Sequence, residues 1–292
     1  MLCTLCPRGC AADRSAAAGY CRQTDAIRVA RAALHPWEEP PISGTRGSGT
    51  VFFSGCTLGC VFCQNREISR GGVGKEITPE RLADIFKALR DRGAHNINLV
   101  TPTHFLPGIR KALEQVKPTL GIPVAVNCGG YETVETVRSL EGLVDIWLPD
   151  CKYVDPALSG RYSGAPDYFE YAAPAIREMH RQQPTPVYDR DGILQSGLVV
   201  RHLVLPGAWK DSLRVLDFLA EFPKDSLLVS LMAQYTPGPG LEQYPEINRR
   251  ITTFEYNKVL ERMRQLELPG FCQDRRSAKE EYTPPFDLTG VE

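Results

Sequence analysis

The chain has 292 residues, 42% hydrophobic and 24% charged, with 34 basic side chains against 35 acidic ones and a formal net charge of −1. That length suits one large α/β domain with a small appendage, or two modest domains, and the balanced charge gives no electrostatic footprint for nucleic acid or an anionic membrane. Ten cysteines, the lack of any apolar run near membrane-spanning length, and a start (Met1-Leu2-Cys3-Thr4) without a basic, then apolar, export signal favour a reducing cytoplasm over a disulfide framework.

Residues 1–46 read as a distinct Cys-rich leader carrying Cys3, Cys6, Cys10 and Cys21. It is too small to build a core and is expected to fold around a metal. Spacing leaves that metal open between zinc, which would clamp the leader, and a second iron–sulfur cluster, which would carry electrons. The segment 34–44, rich in Pro and Gly, reads as an irregular connection, and His35 within it as a packed or solvated loop residue.

From residue 47 to about 270, short apolar runs alternate with helical periodicity. Thr50-Val51-Phe52-Phe53 is the first expected strand. Thr78-Pro79 then offers an N-cap and first-turn proline to a helix in which Leu82, Ile85, Phe86 and Leu89 recur until Gly93. Further strands are expected at 96–100, 123–127, 145–148, 199–205 and 227–232, with helices near 108–116, 133–140, 168–182, 212–221 and 254–266. A hairpin at 187–194 precedes the fifth strand. Six strand–helix units imply parallel strands under a helical layer, an α/β partial (β/α)6 TIM-like barrel open along one side. Residues 271–292 are left as a C-terminal tail in which Cys272 is an isolated thiol.

The first strand runs into Ser54-Gly55-Cys56-Thr57-Leu58-Gly59-Cys60-Val61-Phe62-Cys63-Gln64-Asn65. Three thiolates in one short loop suit three corners of a four-iron cluster and leave one iron open to substrate or cofactor. A zinc site would need a fourth ligand and usually draws on two cysteine pairs. Gly55 and Gly59 let the loop wrap tightly and aim amide N–H groups at the sulfurs.

This Cys-x3-Cys-x2-Cys loop, with an aromatic residue before its third cysteine, resembles that of the radical S-adenosylmethionine (SAM) superfamily. Gln64-Asn65 is similar to the pyruvate formate-lyase activating enzyme and its relatives. Within that group, Leu5-Cys6-Pro7-Arg8, Thr101-Pro102-Thr103-His104 and the segment from Arg201 through Pro206-Gly207 look like the PflX-type branch of uncharacterised iron–sulfur proteins. The resemblance covers nearly the whole chain.

In barrels of parallel strands the active site lies at the strands' carboxyl ends. There stand Thr101 to His104, Asn127 to Gly130, Asp150 to Lys152, and Gln234-Tyr235. His104 is the candidate for a substrate-facing catalytic group, and Gln234 and Tyr235 could touch adenine or substrate. The resemblance implies that Cys56, Cys60 and Cys63 hold a 4Fe-4S cluster. It also implies that Asn127, the Asp150-x-Lys152 segment and Arg201 bind SAM. Thr101 and Thr103 stand where the superfamily usually has Gly-Gly-Glu, so their hydroxyls or carbonyls would receive the SAM amino group. Arg201, a charge inside a strand, should point at a carboxylate, while His202 faces the other side.

The activity so implied is reductive cleavage of SAM to a 5′-deoxyadenosyl radical that abstracts a hydrogen atom. An electron donor such as flavodoxin or ferredoxin would serve it. The expected substrate is a glycine on a glycyl-radical partner protein, with a small molecule or peptide as the alternative. A reading of another class, a non-catalytic iron–sulfur redox or SAM sensor, rests on the missing Gly-Gly-Glu stretch and on Asn127.

Overall fold

The computed structural model describes residues 2–273 and 283–292. β1 (Ile27–His35) and α1 (Pro40–Ser43) lead into the first barrel strand, β2 (Ser48–Phe53), every residue of which is buried. The cysteine loop follows, then α2 (Arg66–Ser69), β3 (Lys75–Ile77) and α3 (Pro79–Asp91). Next come β4 (Ile97–Val100), α4 (Leu106–Leu120), β5 (Val124–Cys128), α5 (Val134–Arg138) and β6 (Ile146–Pro149). After α6 (Pro156–Ser163) and α7 (Tyr168–Gln182), β7 (Val187–Tyr188) forms a hairpin with β8 (Leu194–Leu203). The described barrel ends with α8 (Trp209–Leu219), β9 (Leu228–Met232), α9 (Thr253–Gln265) and β10 (Gly270–Cys272).

The sheet order is β10-β9-β8-β6-β5-β4-β2-β1-β3, and all neighbours from β10 to β2 pair in parallel. The six strands β2, β4, β5, β6, β8 and β9 make a partial (β/α)6 barrel. At its other edge β1 is antiparallel to both β2 and β3. Thus a strand lies inside the segment expected to be a Cys-rich leader. Its sequence, rich in alanine and interrupted by arginine, lacks the continuous apolar run that marks the buried strands. Of the expected tail 271–292, residues 274–282 lie outside the described residues, while 283–292 pack on β1 through Ala32 N to Thr289 O at 2.8 Å and Leu288 N to Ala30 O at 3.1 Å.

The two-residue period of the strands sorts their side chains. Leu99, Val126, Trp147, Val200, Val229 and Leu231 join the large core. Ala125, Ile146, Leu148, Val199 and Leu228 instead form a separate apolar cluster with Ile42 of α1. Because α1 follows His35, which pairs with Ser48 at the start of β2, it enters from the amino-terminal ends of the strands. Asn96 Nδ2 fixes it there by donating to Ile42 O at 2.8 Å. The expected irregular connection is therefore a plug that closes the bottom of the barrel.

Candidate active site

Above the plug lies a cavity of about 680 Å³, lined by Cys56, Cys60, Cys63, Asn127, Asp150, Lys152, Arg201 and Gln234 from the strand ends, and by His35, Trp37, Glu38 and Glu39 from below. Its volume falls in the usual range for small-molecule sites. The cluster loop rests on an apolar bed that includes Leu58, Tyr131, Tyr153, Tyr162, Tyr168 and Tyr235.

Each cysteine of the loop has a hydrogen-bond donor near its sulfur. The amides of Leu58 and Gly59 point at Cys56 Sγ at 3.4 and 3.5 Å, Ser163 Oγ donates to Cys60 Sγ at 2.9 Å, and Ser69 Oγ to Cys63 Sγ at 3.5 Å. Gly59 has φ 67°, and a Cβ there would run into the Arg70 guanidinium. Burial pushes the Cys63 thiol up to about 12, with the neighbouring Cys56 and Cys60 adding to it, and burial also raises Cys60. Thiols so placed become thiolates only when a cation is bound to them.

From this loop a column of alternating charge descends to the plug. Lys152 pairs with Asp150. Burial opposes the ammonium, but Asp150 and the adjacent Cys60 outweigh it and raise Lys152 above its usual range. Tyr168 OH fixes the strand ends here: it lies 2.9 and 2.8 Å from the carbonyls of Gly129 and Asp150 and accepts from Lys152 N at 3.0 Å. Gly130, with φ 77°, permits this approach, since a Cβ would collide with Asp150 O. The close contact served by the glycine is therefore between β5 and β6.

Arg201 faces the cavity, and its carboxylate partners belong to this chain. Its Nη1 is 3.3 Å from Glu38 Oε2, and its Nε is 3.5 Å from Glu39 Oε1 and 4.0 Å from Asp150 Oδ1. His202, its neighbour, is buried with Nδ1 2.6 Å from Cys151 O. Asn127 and Gln234 line the cavity as the sequence places them, and Gln234 O receives Gln64 Nε2 at 3.4 Å.

Two expected catalytic side chains do not face the cavity. His104 sits in a short 3-10 turn (Thr103–Phe105) with its ring turned inward, Nε2 2.6 Å from Ser54 O, and its backbone carbonyl held by Arg14. Burial pushes it down to about 4, a neutral imidazole that braces the start of the cluster loop. Tyr235 is buried, with its hydroxyl donating to Ile247 O at 2.6 Å. Of the Thr101-Pro102-Thr103-His104 motif, Thr101 and Thr103 reach the cavity wall. Thr101 has φ 58°, a left-handed conformation uncommon for a threonine. The Thr103 hydroxyl is spent on Glu132 Oε1 at 2.8 Å.

Sequence comparison bears on this arrangement. The model of the Radical SAM superfamily matches residues 50–207, more than half the chain. The chain belongs to the radical SAM superfamily. An uncharacterised protein of Methanocaldococcus jannaschii is 33% identical over 269 residues, 89% of this chain and 73% of its own. A radical SAM methyltransferase from Sphaerobacter thermophilus shares the fold with a TM-score of 0.54 at 15% identity, over 77% of this chain and 66% of that one. Streptococcus suis SuiB bound to S-adenosylmethionine shares it with a TM-score of 0.51 at 16% identity, over 80% of this chain and 52% of that one. The chain thus spans about half the length of SuiB and just under two thirds of the methyltransferase.

Superfamily membership implies a 4Fe-4S cluster and SAM, and the donor set fits them: three thiols with hydrogen bonds at their sulfurs, beside an ammonium, at the strand ends. Among the described residues no three His, Cys, Asp or Glu side chains stand together as for a single metal ion.

The leader is built onto this radical SAM loop. Arg8 Nε and Nη2 donate to the carbonyls of Thr57 at 2.7 Å, Leu58 at 3.2 Å and Ser163 at 2.8 Å, and Nη1 reaches Gly164 O. A Cβ added to Gly19 would lie 3.3 Å from Cys10 Sγ and 3.7 Å from Cys21 Sγ. Burial pushes Cys6 up to about 12, and the charges of Cys3 and Cys21 act on it in the same direction. Sequence reasoning missed Arg8, Glu38, Glu39, Ser163 and Tyr168. Arg8 stood in the Leu5-Cys6-Pro7-Arg8 motif without a role, and the doublet Glu38-Glu39 lay in a proline-rich stretch that read as an irregular connection.

Proposed function

We propose that Cys56, Cys60 and Cys63 hold a 4Fe-4S cluster, and that Lys152, positioned by Asp150 and Tyr168, takes the carboxylate of SAM with Asn127 and Gln234 along its remaining length. The observation that carries this reading is the sharing of one cavity by the three thiols and the Lys152–Asp150 pair. When bound, cluster and SAM together supply a carbon-centred radical that removes a hydrogen atom from substrate. The residues described bind, orient and exclude water, while the plug closes the far end. An electron donor such as a flavodoxin or ferredoxin is part of the proposal. So is a cytoplasmic location, which the ten free thiols support.

Activation of a glycyl-radical enzyme is one form of this chemistry. A small molecule or the end of a peptide is better supported, because the polar floor of the cavity carries charges that a glycine backbone would leave unused. SuiB, which shares the fold at a TM-score of 0.50, is known with a bound precursor peptide. A second metal at Cys3, Cys6, Cys10 and Cys21 also belongs to the proposal, supported by the flanking of Gly19 by two of these sulfurs.

The test is 5′-deoxyadenosine release from SAM by anaerobically reconstituted, dithionite-reduced protein, with Cys60→Ser as control. Release that disappears in the control is expected. Release that persists without Cys60 would sink the assignment, and a fully loaded protein that does not bind SAM at all would put the sensor reading in its place.

A further inference from the structure

Among the described residues, the carboxylates at the cavity floor outnumber the cations there. Glu38, Glu39 and Asp150 all converge on Arg201, and Asp150 also engages Lys152. Among the described residues, three acids therefore face two bases. His35, also on the floor, adds no positive charge, because burial and the nearby Arg201 and Arg31 push it down to about 4. The Glu39 side chain is 7% exposed and lines the cavity, yet among the described residues its Oε2 has no hydrogen-bond partner, and neither does Arg201 Nε, 3.5 Å from Glu39 Oε1. Behind it Asn98, fully buried, donates Nδ2 to Glu38 Oε1 at 3.1 Å and leaves its own Oδ1 without a partner.

Buried acceptors without a partner cost free energy unless a donor arrives. A primary ammonium brings three donors and the missing charge. Burial also holds Glu38 up at about 7, with Arg201 opposing and Glu39 reinforcing the shift, so an arriving cation would favour its ionised form. The site stands at the bottom of the column, with Arg201, Asp150 and Lys152 between it and the cysteine loop. SAM bound at the loop by Lys152 would leave it to a second molecule.

We infer that Glu38 and Glu39 form a recognition subsite for a protonated primary amine of the substrate. The inference rests on the radical SAM reading of the cavity and names the substrate class that this reading leaves open.

The test is calorimetric titration of the full, cluster-loaded, SAM-saturated protein with n-pentylammonium, using n-pentanol as neutral isostere and pentanoate as anion. Pentylammonium is expected to bind at least about tenfold tighter than either, and Glu39→Gln to weaken it by about tenfold while leaving n-pentanol unchanged. Glu39→Asp, which keeps the charge, should retain part of the preference. Equal binding of the three probes, or a preference that survives Glu39→Gln, would overturn the inference. So would mutual displacement of pentylammonium and SAM, since the subsite would then serve SAM's own amino group. The wild-type probe series stands even if a variant fails to fold. Amine binding without 5′-deoxyadenosine release would count against the proposed enzyme alone, whereas release by a protein indifferent to amines would count against this subsite alone.

Discussion

Ser163 Oγ donates to Cys60 Sγ at 2.9 Å, and having spent its proton there it accepts from Tyr153 OH at 3.0 Å. A hydrogen bond to a cluster sulfur stabilises the reduced, more negative state. Ser163→Ala should leave iron content unchanged and move the cluster's potential more negative by about 20–60 mV, the equivalent of one hydrogen bond. Redox titration followed by electron paramagnetic resonance reads it. An unshifted potential would mean that Cys60 is not a ligand or that another donor replaces the hydroxyl.

Arg8 ties the leader to both the cysteine loop and the end of α6 by hydrogen bonds to four carbonyls. Truncation leaves part-buried carbonyls without donors, so Arg8→Ala should cost about 1–3 kcal/mol in denaturant unfolding. It should also speed loss of iron to a chelator. If iron release from the variant matches wild type, the leader does not brace the cluster loop.

Glu132 is buried beside Thr103, and burial pushes its carboxyl up to about 8, against the opposing hydrogen bond from the Thr103 hydroxyl. In the unfolded chain it ionises near the ordinary glutamate range. Its contribution to stability is therefore full below that range and is lost as pH rises toward about 8. The slope should approach about 1.4 kcal/mol per pH unit between these limits. Glu132→Gln keeps an acceptor for Thr103 without the ionisation, so its unfolding free energy should exceed wild type at pH 8 and converge on it near pH 4. Parallel pH profiles for the two proteins would show that Glu132 is ionised in the fold.

The parts legible in the sequence were those fixed by local pattern. Buried runs such as Val124–Cys128 and Leu228–Met232 announce parallel strands because both faces are covered, and the loop of Cys56, Cys60 and Cys63 marks the superfamily. The floor was not legible, because Glu38 becomes a site residue only through Asn98 and Arg201, the latter 163 positions away. His104 misled for a similar reason. Its place after a strand points to the cavity, but the left-handed Thr101 and the turn behind it rotate the ring onto Ser54. Tyr235 likewise follows a strand end, and only the fold of the segment containing Ile247 supplies the carbonyl that holds it.

Lys152 offers the sharpest test of where SAM lies. It is the cation of the column next to Cys60, and its Asp150 partner also stands 4.0 Å from Arg201 Nε. Removing the ammonium therefore leaves Asp150 with a second cation, and the fold should tolerate the change. Lys152→Met, close in length and apolar, should keep iron content and the melting transition. It should weaken SAM binding by on the order of tenfold to a hundredfold, the value of a charge-assisted contact to a carboxylate in a sheltered site. Anaerobic calorimetry on the cluster-loaded variant reads this directly. If SAM binds Lys152→Met as tightly as wild type, its carboxylate is held elsewhere, and Arg201, with three carboxylates of its own, would have to release one of them to take it.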